Sequence, residues 1–242
     1  MIIKTYNYFV GIVQILSPLF KQNGGIHMTL KKQIDAFEVE KKANLSNDIL
    51  DLMDITTDKL IAAQLSQHAL KVGDKLPAFN LPNSDGTLVS SHALLEKGPL
   101  VLSFYRGGWC PYCNLELHAL NALSAEFAAH NTQLVAVSPQ LPDNSLSTQN
   151  ENELAYTVLS DVKNTLAKAC GLVFTLDERL VPVYHQLGLD IPKANGDNSY
   201  ELPLPATYVI DQNGVIQFAF AIEDYTLRAE PEDILTAVKK LK

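Results

Sequence analysis

Several absences in the 242-residue chain narrow its chemistry. No apolar run is long enough to cross a bilayer as a helix: Tyr8–Phe20 is the leader-like stretch, and it falls short of the roughly 20 residues required. Basic residues are in deficit, 19 Lys and Arg against 27 Asp and Glu, and the formal net charge of −8 gives no electrostatic reason to expect nucleic acid or an anionic membrane as partner. There is no glycine-rich phosphate loop, no dinucleotide motif and no Cys/His cluster, so no cofactor and no metal is implied. Three cysteines are too few for a disulfide framework. Repeats and low-complexity tracts are also missing.

What is present is an apolar share of 47%, enough for a sizeable core, and one stretch of concentrated chemistry. Leu100–Tyr105 is a buried-strand run. Arg106-Gly107-Gly108 follows as a turn, then Trp109-Cys110-Pro111-Tyr112-Cys113, then a helical pattern in which Leu117, Leu120, Leu123 and Phe127 fall on one face. Pro111 suits the first helical turn, which makes Cys110 the N-cap. Both sulfurs then lie by unpaired N–H groups at the positive end of the helix dipole, a place that lowers a thiol pKa. Structural zinc would need two more ligands, and the third cysteine, Cys170, stands alone in AKACGLV. Inert buried thiols are the bland alternative. The glycines and the Trp-Cys-Pro-Tyr-Cys context favour an exposed turn and redox chemistry, with Cys110 the more exposed sulfur.

Around this centre the pattern predicts an N-terminal helical extension over 28–70, with Ser46 or Asn47 as a cap, and an α/β domain over 71–242. A hairpin at Ala78–Leu81 and Leu88–Ser90 precedes a short helix at His92–Glu96. Gln133–Val137 and Tyr156–Leu159 are strands, with a loop at Ser138–Asn144. Helices are expected at Val162–Cys170 and Val181–Leu187, an irregular insertion at Ile191–Leu202, a hairpin at Ala206–Ile210 and Val215–Ala221, and a closing helix at Pro231–Leu241. The segment 1–27 is an apolar leader. It fits a signal poorly, and translation from Met28 is the preferred reading, which makes the protein cytoplasmic, with an anchor or exported form as the alternative. Residues 28–70 carry no nameable chemistry and are expected to pack or to support a homodimer.

VGDKLPAFNLPNSDG, SFYRGGWCPYC, LSDVKNTLAKACGL and PATYVIDQNGVI follow one another over Val72–Leu241 in an order that resembles the peroxiredoxin (alkyl hydroperoxide reductase / thiol-specific antioxidant) family. The closest likeness is to a subgroup with Cys-x-x-Cys in place of Thr-x-x-Cys. The resemblance implies a thioredoxin fold, a mixed central sheet with helices on both faces and a peroxiredoxin-type N-terminal hairpin. It also implies a peroxidase in which Cys113 takes the peroxidatic position and Cys110 closes a disulfide, re-reduced by thioredoxin or another dithiol. Two departures stand out. Arg106 replaces the family's proline, and Pro205 stands where an arginine is expected. Pro205 and Trp109 are instead thioredoxin-like, Pro205 resembling the cis-proline that faces Cys-x-x-Cys. That leaves a second reading, a thiol-disulfide oxidoreductase with Cys110 as nucleophile. A redox sensor or scaffold is a third. Arg106 is the candidate for lowering the thiol pKa. Gln140, Tyr225 and Arg228 are placed near the site by their loops alone, His118 on the surface, and Cys170 in the core.

Overall fold

The computed structural model describes residues 28–241; every reading of the leader, and the choice of Met28 as start, lies outside them. The chain opens with α1 (Leu30–Asn44) and α2 (Asn47–Ala63), and a 3-10 turn at Leu65–His68 ends the arm. Then come β1 (Asn80–Pro82), β2 (Leu88–Ser90), α3 (Ser91–Leu95), β3 (Leu100–Phe104), α4 (Pro111–Ala122), α5 (Ser124–Ala129), β4 (Gln133–Ser138), α6 (Pro142–Glu151), β5 (Thr157–Ser160), α7 (Thr165–Ala169), β6 (Val173–Thr175), α8 (Leu180–Gln186), α9 (Ile191–Asn195), β7 (Glu201–Pro203), β8 (Ala206–Ile210), β9 (Ile216–Ala221) and α10 (Pro231–Lys239).

Five strands form the central sheet in the order β5-β4-β3-β8-β9. β3 runs parallel to β4 and antiparallel to β8, so the sheet is mixed, as expected. β3 is central and buried along its length. Its alternation divides the core: Leu100, Leu102 and Phe104 enter one cluster, while Val101 and Tyr105 enter the other. The second cluster also holds Leu117, Leu120 and Phe127, together with Leu30, Ile34 and Phe37 of α1. The arm therefore packs onto the helix that starts at the cysteines. Carboxylates of the domain hold it there. Glu230 accepts from the backbone N–H groups of Leu30 and Lys31 at 3.0 and 2.7 Å, and Glu223 accepts from Ser66 N–H at 2.7 Å. In both places an acidic group satisfies the orphan donors of a helix start.

Three local expectations change. The loop expected over Ser138–Asn144 is shorter, because α6 begins at Pro142; its polar sequence hid it from hydrophobic periodicity. The helix expected over Val162–Cys170 is broken, with Lys163 and Asn164 in the left-handed region at φ 68° and 57°. The buried Asp161 carboxylate accepts the Leu166 and Ala167 N–H groups and starts α7 afresh. The segment Ile191–Leu202 is not a simple insertion: it contains α9, and its end joins β7, which pairs with β6.

Candidate active site

β3 ends by delivering the Arg106-Gly107-Gly108 turn onto the N-terminus of α4. Cys110 is the N-cap, with no side-chain cap of its own, and Pro111 opens the helix. The two glycines are required sterically. A Cβ on Gly107 would lie 2.3 Å from the Trp109 indole nitrogen, and one on Gly108 would lie 2.2 Å from Thr148 Oγ1. Gln140 Oε1 accepts the Gly108 N–H at 2.8 Å, and Asn114 Nδ2 donates to the Gly108 carbonyl at 2.7 Å. Gln140 thus belongs to the site as expected, fixing the turn rather than facing the sulfurs.

Cys110 and Cys113 are free thiols, both 0% exposed. The exposed turn and the exposed Cys110 expected from sequence are therefore not found. Tyr225 and the arm cover the centre: the Tyr112 ring above it meets Phe37 and Tyr225 edge-on at 5.0 and 5.5 Å. The Tyr112 hydroxyl donates to Glu38 and accepts from Lys41 Nζ at 3.1 Å, so the arm closes over the helix start with an ion pair and a phenol.

Two arginines serve the two sulfurs. Arg106, 4% exposed, donates from Nη2 to Cys110 Sγ at 3.1 Å. Its guanidinium stacks 4.1 Å above the Tyr225 ring and 5.3 Å from that of Trp109. Arg228 donates to Cys113 Sγ at 3.5 Å, and its Nε is paired with Glu116 at 2.6 Å. Thr207 Oγ1 donates to the other Glu116 oxygen at 3.1 Å. Arg228, placed by its loop alone in the sequence, is therefore in the site. Glu116 was not singled out, although its position one helical turn after Cys113 puts it on the same face.

The electrostatics separate the sulfurs. Burial works against a Cys110 thiolate, but a hydrogen bond from the Cys113 thiol and the charges of Arg106 and Arg228 outweigh it, so Cys110 is held well below the usual thiol range. Burial and the neighbouring Cys110 charge push Cys113 well above it. The bond between the two thiols is the largest of the causes that separate them; in the geometry around them Arg228 is paired with Glu116, whereas Arg106 faces aromatic rings and Cys110.

The remaining candidates sort plainly. Pro205 adjoins β8 at the end of the sheet where Ala206 pairs with Phe104, but its bond to Leu204 is trans, since there is no cis peptide among the described residues. The expected cis-proline is thus corrected. Trp109 packs edge-on against Tyr184 at 5.8 Å. His118 is half-buried rather than on the surface, and burial lowers its pKa. Cys170 lies in the core, as expected, with its thiol pushed up to about 12 by burial.

Residues 72–219 match the model of the AhpC/TSA family. The chain belongs to that family. A putative peroxiredoxin of Mycobacterium tuberculosis is 32% identical over 114 residues, covering 47% of this chain and 74% of the relative. The putative peroxiredoxin bcp of Helicobacter pylori is 31% identical over 154 residues, 62% of this chain and 88% of that one. The crystal structure of peroxidoxin BcpB from Mycobacterium tuberculosis superposes with a TM-score of 0.57 at 22% identity, covering 72% of this chain and 99% of that one. That likeness shows the thioredoxin-type fold of the peroxiredoxins. Among the described residues no helix is long and apolar enough to cross a membrane.

Proposed function

We propose that this AhpC/TSA family member is a thiol-dependent peroxidase in which Cys110 makes the first attack and Cys113 resolves. The Cys110 thiolate bonds to the terminal oxygen of a hydroperoxide, the O–O bond breaks, and the departing alkoxide or hydroxide takes a proton from water. Cys110 is then a sulfenic acid. The Cys113 sulfur displaces its oxygen, forming the S–S bond and releasing water with the thiol proton. Two thiols of an external reductant, in our reading a thioredoxin or a similar dithiol, restore the pair. Arg106 holds the thiolate and Arg228 steadies Cys113.

The observation that carries this order of attack is the Arg106 Nη2–Cys110 Sγ contact of 3.1 Å, made by an arginine whose charge no carboxylate partner offsets among its hydrogen bonds and ion pairs. The family position alone favours Cys113; the charge distribution favours Cys110. The disulfide-reductase reading loses its main support with the trans Pro205.

Separate Cys→Ser variants test the assignment. Cys113→Ser is expected to form a sulfenic acid at Cys110 within one turnover, trapped by dimedone and located by mass spectrometry. Cys110→Ser is expected to lose the rapid phase. Rapid trapping at Cys113 in Cys110→Ser would return the first attack to Cys113, and oxidation of neither sulfur by any peroxide would remove the peroxidase reading.

A further inference from the structure

Both sulfurs are 0% exposed, yet a protein dithiol has to bring its own sulfur onto the Cys110–Cys113 bond to reduce it. What stands in the way is the arm. Phe37 and Lys41 of α1 and Met53 of α2 line a cavity of about 40 Å³ against Arg106, Pro111 and Tyr112. That is room for a few molecules of water size and not for a protein. The arm is fixed firmly at its ends and lightly between them. Glu230 and Glu223 hold the backbone at Leu30 and Ser66. Of the 17 residues of α2 only Met53 and Thr56 are buried, and beyond Phe37 the one buried residue of α1 is Lys41. So few buried apolar contacts place this stretch at the low end of local stability.

The charges under the arm balance only while Cys110 is a thiolate. Arg228 then faces Glu116, Lys41 faces Glu38, and Arg106 faces the Cys110 sulfur. Oxidation to the disulfide removes one anion and no cation. Arg106 is left buried with no ion pair among the described residues, and its Nε already lacks a hydrogen-bond partner. A buried charge stripped of its partner strongly destabilises the state that buries it. Lys41, on the same cavity wall, adds like-charge repulsion. Water reaches Arg106 when the stretch over the cavity lifts. We propose that the arm is a redox-gated lid: it is closed over the reduced thiols and opens between its two staples when Cys110 and Cys113 join, so that a protein dithiol reaches the disulfide only after oxidation. The inference rests on the peroxidase reading above and adds to it the order in which the two substrates gain access. Forming the S–S bond passes two electrons to the peroxide. The dithiol returns two electrons and two protons, the Cys110 thiolate re-forms beside Arg106 as its proton is released, and the lid closes.

Hydrogen exchange of the full chain, read by mass spectrometry on peptides covering residues 37–53, tests the lid, with peptides of β3 as the control for global unfolding. The bridge is made with diamide, so that its formation does not depend on peroxide chemistry. Exchange over residues 37–53 is expected to be at least tenfold faster in the oxidised than in the reduced protein, with β3 unchanged. Cys110→Ser removes the thiolate without making a bridge, and is expected to speed the same peptides at least tenfold under reducing conditions. Adding Arg106→Met to Cys110→Ser removes the cation as well and is expected to restore slow exchange. Equal exchange in the two wild-type states, or an arm as protected in Cys110→Ser as in the reduced wild type, overturns the lid. Fast exchange that persists in the double variant overturns the charge of Arg106 as its cause, and the proposal with it. If one of these forms cannot be made or does not fold, the remaining comparison decides. None of these measurements uses a peroxide, so the peroxidase reading fails separately, when no peroxide oxidises the wild-type pair.

Discussion

Replacing Arg106 with methionine removes a planar cation and leaves a side chain of similar length in the same aromatic surroundings. In the native site its Nη2 lies 3.1 Å from Cys110 Sγ. A hydrogen bond to a charged group is worth about 1.5–3 kcal/mol, and every 1.4 kcal/mol is tenfold in an equilibrium. The acid dissociation constant of Cys110 is therefore expected to fall about 10- to 150-fold, moving the pH at which the rate of attack on peroxide falls away upward by about one to two units. The sign with pH follows from the lowered thiol. In the native protein Cys110 stays ionised below the usual thiol value of about 8.5, so its rate holds as pH falls through 8.5. In Arg106→Met the thiol titrates higher, so the rate begins to fall at a higher pH than in the native protein and recovers as pH rises. Thiolate absorbance at 240 nm in Cys113→Ser backgrounds reads the ionisation directly, and stopped-flow oxidation reads the rate. Removing a buried charge that no carboxylate partners is not expected to unfold the protein, although stacking on Tyr225 and Trp109 is lost at about 0.5–2 kcal/mol. A titration midpoint of Cys110 left unchanged by Arg106→Met, or a loss of rate that stays the same from pH 6 to 10, would refute the argument that Arg106 acts through the ionisation of Cys110.

Two further outcomes follow from packing. Gly108→Ala is expected to cost about 1–3 kcal/mol through overpacking against Thr148, and Thr148→Ala in the same chain is expected to recover part of it, since the nearest clash is with Thr148 Oγ1 at 2.2 Å; strictly additive urea-denaturation free energies would contradict the contact. Mild peroxide treatment followed by peptide mapping is expected to give a Cys110–Cys113 bridge with Cys170 unmodified, because burial raises the Cys170 thiol to about 12; a dominant bridge to Cys170 would rule out the two-cysteine cycle.

The sequence by itself determined the elements with strong local signals. The apolar run of Leu100–Tyr105, the proline of the first helical turn after Cys110, the Asn213-Gly214 hairpin and the arm helices are all local patterns, and each is found close to where it was expected. The cysteine pair at the head of α4 was equally legible, because a Cys-x-x-Cys at a strand-to-helix turn states its geometry within a few residues. The polar α6, the break before α7 and the pairing of β6 with β7 escaped, since none leaves a periodic apolar trace; two are fixed by contacts with distant chain. The same holds for the character of the site. Glu116 comes from α4 itself, Arg228 from the chain after β9, and Glu38 and Lys41 from the arm; only folding brings the latter three to the cysteines. Burial was decided there as well. A turn rich in glycine is exposed by default, and this one is closed because a helical arm, stapled by Glu230 and Glu223, lies over it. Which sulfur carries the charge depends on the hydrogen bond between the two thiols and on which guanidinium lies against each of them. That is a property of three-dimensional neighbours, and no spacing along the chain encodes it.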